Sequence, residues 1–265
     1  MSEIPYIIRG GLSGRERLRI LSGVLRPSTS ALLDRVGVAD GARCLDVGCG
    51  GGDVSLSLAA RGARVIGVDV DDEKLAIARE EAAAAGLDGE YRRADITNDD
   101  VGSGFDLCYC RFLLTHLTDP AGAVRRLHSA LRPGGALVVE DIDYGGSVSY
   151  PDSAAYRRYC DIYVATAELR GCDPHIGPRL PSLLRGAGVG RIEATAVQPM
   201  AIEGHVKLAC ALTLDSIADA AVAEGVAERG EIEQVAAELH RQAADRVTLM
   251  SFPRIVQVWG YTERR

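Results

Sequence analysis

Ten residues, Cys44 to Asp53, constrain this chain more than any others: CLDVGCGGGD. An apolar run reads as a buried strand, Asp46 stands near its end, and Gly48, Gly50, Gly51 and Gly52 crowd the turn that follows. Glycine belongs where backbone must take unusual angles or let a ligand approach bare peptide. The next apolar run, Arg64 to Val70 (RVIGVDV), puts Asp69 19 residues beyond Gly50 (69 − 50 = 19). In a doubly wound sheet a carboxylate at that distance faces the hydroxyls of a ribose. Asp69, with Val70 beside it, is therefore the first candidate ligand contact, set against a plain solvated acid at a strand end.

Strand and helix patterns alternate around this segment, which predicts an α/β fold with a mostly parallel sheet covered on both faces. Strands are expected near 43–47, 64–69, 90–94, 105–109 and 135–140. Helices are expected near 53–61, 72–85 and 120–131, stopped by Gly62, Gly86 and Pro133. At the start, Leu18, Leu21, Val24 and Leu25 recur at helical spacing and Pro27 is expected to close that helix, with a second over about 29–36. Beyond Tyr150 a long helix is expected over 153–169, the end of another over 181–187 before Gly188, and a strand near 191–198. A mainly helical, alanine-rich stretch over about 205–248 precedes a last strand, Arg254 to Tyr261.

CLDVGCGGG, the acid of GVDV, RADI (Arg93 to Ile96), FDLCYCRFLLTHLTDP (Phe105 to Pro120) and LRPGGALVVED (Leu131 to Asp141) follow one another in a familiar order. Together they resemble class I S-adenosylmethionine (SAM)-dependent methyltransferases, in the small-molecule branch related to ubiquinone and menaquinone methyltransferases and natural-product tailoring enzymes. The resemblance covers residues 40–142. It implies one doubly wound, Rossmann-like domain with a seven-stranded sheet whose last strand is antiparallel. Residues 1–39 would be an N-terminal helical segment, 40–142 the SAM-binding core, and 143–265 the acceptor side. The 205–248 helices become an insertion, either a lid over the acceptor or a homodimerisation element. Tyr6 to Gly11 reads as part of a hinged lid or as a tether for the first helix.

The resemblance also distributes the cofactor, which leaves as S-adenosylhomocysteine. Gly48 and Gly50 would lie against the methionine part, Asp46 near its ammonium, and Asp69 and Val70 at the ribose. Asp95 would accept from the adenine amine, with Ile96 giving a backbone donor and apolar contact. Arg111 could pair with the methionine carboxylate, because a guanidinium fork matches a carboxylate. Enzymes that methylate nucleic-acid bases usually carry a Pro-Pro-aromatic element after strand four. Here the chain reads Cys110-Arg111-Phe112-Leu113.

Composition narrows the function classes. The chain has 265 residues, 47% hydrophobic and 25% charged, an ordinary globular balance with room for a substantial core. Its net charge of −7 offers no general basic field to nucleic acid. No apolar run approaches the roughly 18 residues of a membrane span. The seven cysteines include no CxxC, so a metal site is not expected and reduced core thiols in a cytoplasmic protein are.

Methyl transfer is a displacement at an activated carbon, so a base is needed only where the acceptor starts protonated. His116 and Asp143 are the catalytic candidates, and Asp141, Tyr144 and His175 the candidates for contact with a small-molecule acceptor. Asp141, Asp143 and Tyr144 follow the fifth strand, at the sheet edge where ligands bind. The sequence does not choose among oxygen, nitrogen and carbon as the methylated atom. Two rivals remain: a SAM-binding regulatory or assembly module without turnover, and an NAD(P)-dependent oxidoreductase. The latter lacks the third glycine of GxGxxG here, since Asp53 stands in its place.

Overall fold

Parallel pairing of short buried strands organises one of two compact units into which the chain divides. The structure, a computed structural model, describes residues 11–263, with side chains from Arg19 onward. Tyr6 to Gly10, the expected lid or tether, lies outside the described residues. In chain order the first half runs α1 (Gly11–Val36), β1 (Arg43–Val47), α2 (Asp53–Ala59), β2 (Arg64–Asp69), α3 (Asp72–Ala85), β3 (Gly89–Arg93), β4 (Phe105–Arg111), α4 (Pro120–Ala130) and β5 (Leu131–Asp143). It continues with β6 (Ser149–Tyr150), α5 (Ala154–Leu169), α6 (Leu180–Gly186), β7 (Gly190–Val197), β8 (Met200–Ala201), α7 (His205–Ala223), α8 (Arg229–Ala244), β9 (Leu249–Ser251) and β10 (Arg254–Tyr261).

The sheet unit is built around Pro27–Asp141, with Ile176–Ala196 and the last strand. Its seven strands lie in the order β3-β2-β1-β4-β5-β10-β7, mostly parallel with one antiparallel strand. β1 pairs in parallel with both β2 and β4, so the order of connection reverses beside β1. In such sheets the crevice beyond the carboxyl ends of the strands at that reversal receives ligands. β1 and β4 are buried along nearly their whole length, as strands covered on both faces must be.

Side chains of each strand alternate between two cores. Leu45, Val47, Cys108, Cys110 and Val139 pack with Val124, Leu127, Leu180 and Leu184 on one face. Cys44, Val65, Leu107, Tyr109 and Val138 pack with Leu32, Leu33, Val54, Leu58 and Trp259 on the other. The strand cysteines thus serve as small apolar side chains, and burial pushes the Cys44 thiol up to about 12. Among the described residues no group of three or more His, Cys, Asp or Glu could hold a metal ion.

The expected helix boundaries are met where local chemistry sets them. Asp71 caps α3 by accepting from the Glu73 and Lys74 amides, and Gly86 ends it in the left-handed region. Asp119 caps α4 with Pro120 in its first turn. Pro27 does not close the first helix: it lies inside α1, which runs 26 residues from Gly11 to Val36. An internal proline costs a helix about 3 kcal/mol. Burial of Leu32 and Leu33, which follow Pro27 and are 2% and 0% exposed, offsets that cost, at about 1.5–3 kcal/mol for each fully buried leucine.

The other unit comprises Ile142–His175 and Val197–Arg254 together with the start of α1. The expected 205–248 helical stretch is the pair α7 and α8, which pack on each other and on α5. Ser153 caps α5 by accepting the Tyr156 amide. β6, β9 and β8 form a small antiparallel sheet. Lys207 is fully buried, and its ammonium donates to the carbonyls of Ile202 and Thr248, each at 3.0 Å, to the Thr248 hydroxyl at 2.6 Å and to the Asp245 carbonyl. Among the described residues no helix is long and apolar enough to cross a membrane.

Candidate functional site

The turn after β1 is built against the end of β2. The Gly48 and Cys49 amides donate to the Val68 carbonyl at 2.8 and 3.1 Å, and the Gly50 amide donates to Asp69 Oδ2 at 2.9 Å. Asp69 Oδ1 accepts the Asp71 amide at 3.0 Å. Asp69 is 8% exposed and clasps both strand ends, a bracing role in addition to the expected ligand contact. Gly52 starts α2 at φ 81°, and a Cβ there would lie 2.9 Å from that of Ala78, so glycine alone fits. Over Gly50, at φ 52°, a Cβ would meet nothing within 4 Å, leaving bare backbone accessible. Next to Asp69, Val70 is 55% exposed, an apolar side chain left open at a strand end.

Asp46 lies at 2% exposure, accepting the Ser55 hydroxyl at 2.6 Å. Burial raises its carboxyl to about 7; the Ser55 hydrogen bond opposes the shift, Asp53 adds to it and Arg111 works against it. Arg111 is bonded within the fold: Nη2 donates to Asp53 Oδ2 at 2.7 Å and Nη1 to Thr29 Oγ1 at 3.2 Å. Despite the opposing effect of burial, Asp53 leads the anions that hold its pKa up. Behind it, buried Glu140 accepts from Thr29 at 2.8 Å, from Gln257 at 2.6 Å and from the Tyr109 hydroxyl.

Asp95 follows β3 and folds its carboxylate back on its own turn, accepting from the Thr97 amide at 2.8 Å, the Thr97 hydroxyl at 2.7 Å and Asn98 at 2.9 Å. Partial burial pushes its carboxyl up, but these bonds outweigh it and hold the pKa below the ordinary value. Ile96 is 3% exposed and packs into the first core. The expected apolar contact from its side chain is therefore replaced by packing, and only its backbone remains for a ligand.

Residues 44–135, which contain the turn and both strand-end acids, match the family model described as a methyltransferase domain. Over 112 residues the chain is 37% identical to the ubiquinone biosynthesis O-methyltransferase of Pseudomonas aeruginosa, covering 42% of this chain and 48% of that protein. This stretch is similar in sequence to SAM-dependent methyltransferases. The chain spans about half the length of the curated relatives it matches. The fold is also that of a candidate methyltransferase of Bacillus halodurans, at 17% identity and TM-score 0.59, over 89% of this chain and 99% of that one. Phosphoethanolamine N-methyltransferase 2 of Haemonchus contortus, solved with SAM, shares the fold at 18% identity and TM-score 0.55, over 98% of this chain and 54% of that one.

In the sheet unit His116 ends a short 3-10 turn, Leu114–His116, after β4, half-buried, its amide donating to Leu113. Asp141 is fully buried and accepts the Thr115 amide at 3.1 Å, so it braces that turn instead of facing an acceptor. The other three candidates belong to the helical unit. Tyr144 is 6% exposed, stacked on Tyr163 with ring centres 4.2 Å apart, and its hydroxyl lies 3.0 Å from that of Tyr159. It is a core residue of that unit, which corrects its expected place beside the acceptor.

Asp143 is held by three N–H donors and meets the His175 ring. Gly145 donates its amide to Oδ1 at 2.9 Å, Arg254 donates to Oδ2 through Nε at 3.0 Å and Nη2 at 2.6 Å, and His175 Nδ1 lies 3.2 Å from Oδ1. Burial alone would push its pKa up, but those bonds hold it below the ordinary value. An acid held so firmly as its anion is a poor proton acceptor near neutrality, which corrects its assignment as a base.

Sequence reasoning missed Thr29, Asp53, Tyr109, Glu140, Gln257 and Arg254. Asp53 had a local signal as the first helical residue after the turn. The others are far from their partners in sequence, as with Thr29 and Glu140, 111 positions apart.

Proposed function

We propose that this chain transfers the methyl group of SAM to a small-molecule acceptor. The observation that carries the reading is the clasp of Asp69 on the glycine turn, which leaves open backbone at Gly50 and open apolar surface at Val70 side by side at the strand-order reversal. These features fit SAM. Backbone at Gly48 and Gly50 would hold its methionine part, Asp46 its ammonium, Arg111 its carboxylate, Asp69 and Val70 its ribose, and Asp95 its adenine amine. When bound, SAM supplies a methyl carbon activated by a sulfonium. The chain's own residues then bind, orient and exclude water, which is most of what an in-line displacement needs.

The similarity to ubiquinone biosynthesis O-methyltransferases supports oxygen as the methylated atom. The test is calorimetric titration with SAM, S-adenosylhomocysteine and NADH. Micromolar binding of the two adenosyl ligands and none of NADH is expected. Failure of the folded protein to bind either would overturn the reading, and binding without transfer to any acceptor would reduce it to a SAM-binding module.

A further inference from the structure

We infer that Thr29 and Glu140 are positioning residues for Arg111, and that through it they select adenosyl ligands that carry the methionine carboxylate over those that lack it. This rests on the proposed function and deepens it. The juxtaposition that carries the inference is an unbroken line of side chains. Arg111 Nη1 lies 3.2 Å from Thr29 Oγ1, and Thr29 Oγ1 lies 2.8 Å from Glu140 Oε1. All three residues belong to the sheet unit, which also holds the glycine turn.

The strands set this line up. Arg111 and Glu140 are register partners on the parallel pair β4 and β5, so their side chains leave the same face of the sheet. Tyr109, two residues before Arg111, shares that face. α1 lays Thr29 onto it, held there by Leu32 and Leu33 in the core that contains Tyr109 and Val138. Directly after Arg111 the chain leaves the strand: Phe112 is left-handed at φ 53°, and its amide donates to the Glu140 carbonyl at 3.0 Å. Glu140 thus ties this corner by its backbone as well as by its side chain.

The direction of each bond follows from what each group can do. A guanidinium has only donors, so Thr29 Oγ1 accepts from Arg111 and gives its single hydrogen to Glu140. Glu140 Oε1 also accepts the Tyr109 hydroxyl, and Oε2 accepts from Gln257 Nε2 at 2.6 Å. Burial first, and then Glu140, push the Tyr109 hydroxyl well above its ordinary value, so it stays a donor. Thr29, Tyr109, Glu140 and Gln257 are all buried. The threonine hydroxyl therefore has one setting, and that setting fixes Nη1 of Arg111.

The other end of the guanidinium is different. Nη2 donates to Asp53 Oδ2 at 2.7 Å, and the Asp53 side chain is 33% exposed. One Nη is held from inside the fold, and the other is paired at its open edge. A ligand carboxylate can replace Asp53, which then turns to water, while Thr29 keeps Nη1 in place. Recognition of a carboxylate by arginine depends on a planar, two-bond fit. A guanidinium without that anchor would lose rotamer freedom on binding and hold the same ligand less tightly. A buried ionic set is seldom worth more to stability than apolar residues of the same volume. What it provides here is orientation.

The matched probe is S-adenosyl-3-thiopropylamine, which is S-adenosylhomocysteine without its carboxylate. In calorimetric titration of the full chain, the wild type should bind S-adenosylhomocysteine at least tenfold more tightly than the amine. Thr29→Val keeps the side-chain shape and removes the hydroxyl. It should lose about tenfold on S-adenosylhomocysteine and less than twofold on the amine. Thr29→Ser should restore the wild-type preference to within threefold. In an Arg111→Ala background Thr29→Val should change neither affinity by more than twofold, because it acts only through the guanidinium. A merely structural threonine would weaken both ligands alike, in both backgrounds. Glu140→Gln, titrated in the same way, should lose at least fivefold on S-adenosylhomocysteine alone, and it carries the test if Thr29→Val does not fold. An unchanged Thr29→Val, equal losses on the two ligands, a loss that persists without Arg111, or a wild type that binds both ligands alike would each overturn the inference and leave the proposed function standing. A folded wild type that binds neither ligand would instead remove the function itself.

Discussion

Asp69 accepts the Gly50 amide at 2.9 Å, joining the end of β2 to the turn after β1 across 19 residues of sequence. The residue expected to read a ribose is therefore also the residue that shapes the glycine turn. Asp69→Ala should weaken SAM binding at least tenfold, about 1.4 kcal/mol. Because the Asp71 amide loses its acceptor too, thermal stability should fall as well. Calorimetry below the variant's melting range checks the first effect, and unchanged affinity would overturn the assignment.

Arg111 gives a second prediction, through Asp53. Asp53→Ala strands a buried guanidinium, which should destabilise the chain by about 2 kcal/mol or more, whereas Arg111→Ala leaves Asp53 a third exposed and able to reach water. If the SAM carboxylate takes the place of Asp53, SAM should raise the melting temperature of Asp53→Ala by more than it raises that of the wild type. Equal shifts in a thermal melt would mean that Arg111 is structural only.

Asp46 sets a pH dependence with a definite sign. Its folded-state value of about 7 lies above the ordinary 3.8, so the folded chain holds a proton there that the unfolded chain releases. Stability from this group is full at low pH and declines as pH rises from about 4 to 7, then levels. Asp46→Asn should therefore gain roughly 2–4 kcal/mol over the wild type at pH 8 and little at pH 4, read by denaturant titration. A bound ammonium favours the ionised form, so SAM affinity should rise from pH 6 to 8 with release of a proton. Calorimetry in two buffers of different ionisation enthalpy measures it, and pH-independent binding would place the ammonium elsewhere.

Lys207 tests the helical unit. Lys207→Met removes the donor shared by three carbonyls and the Thr248 hydroxyl, each costing about 1–3 kcal/mol if left dry. A loss of at least 3 kcal/mol is expected in chemical denaturation. A loss under 1 kcal/mol would mean that water replaces the ammonium.

Much of the sheet was legible because its signals are local. The β1, β2 and β4 runs and the stop at Gly86 each depend on residues within one turn or one strand. Pro27 misled for the complementary reason: its local preference is to end a helix, and burial of Leu32 and Leu33 against residues distant in sequence overrode it. Tyr144 and Asp141 misled because a polar residue at a strand end looks alike whether it faces a ligand or a neighbour. Only packing separates the two.

The sequence by itself determined the alternation of strands and helices around the glycine turn, and the residue types available at each strand end. The methyltransferase likeness was readable there because a turn that tight admits few residues. Tertiary structure alone decided that Asp46 keeps its proton more readily than an ordinary acid and that Asp143 is held as an anion. Asp143 and Arg254 lie 111 positions apart, Asp143 and His175 32 apart, and no periodicity encodes such pairs. Protonation depends on burial and on donors within about 3 Å, and both exist only once the chain has folded.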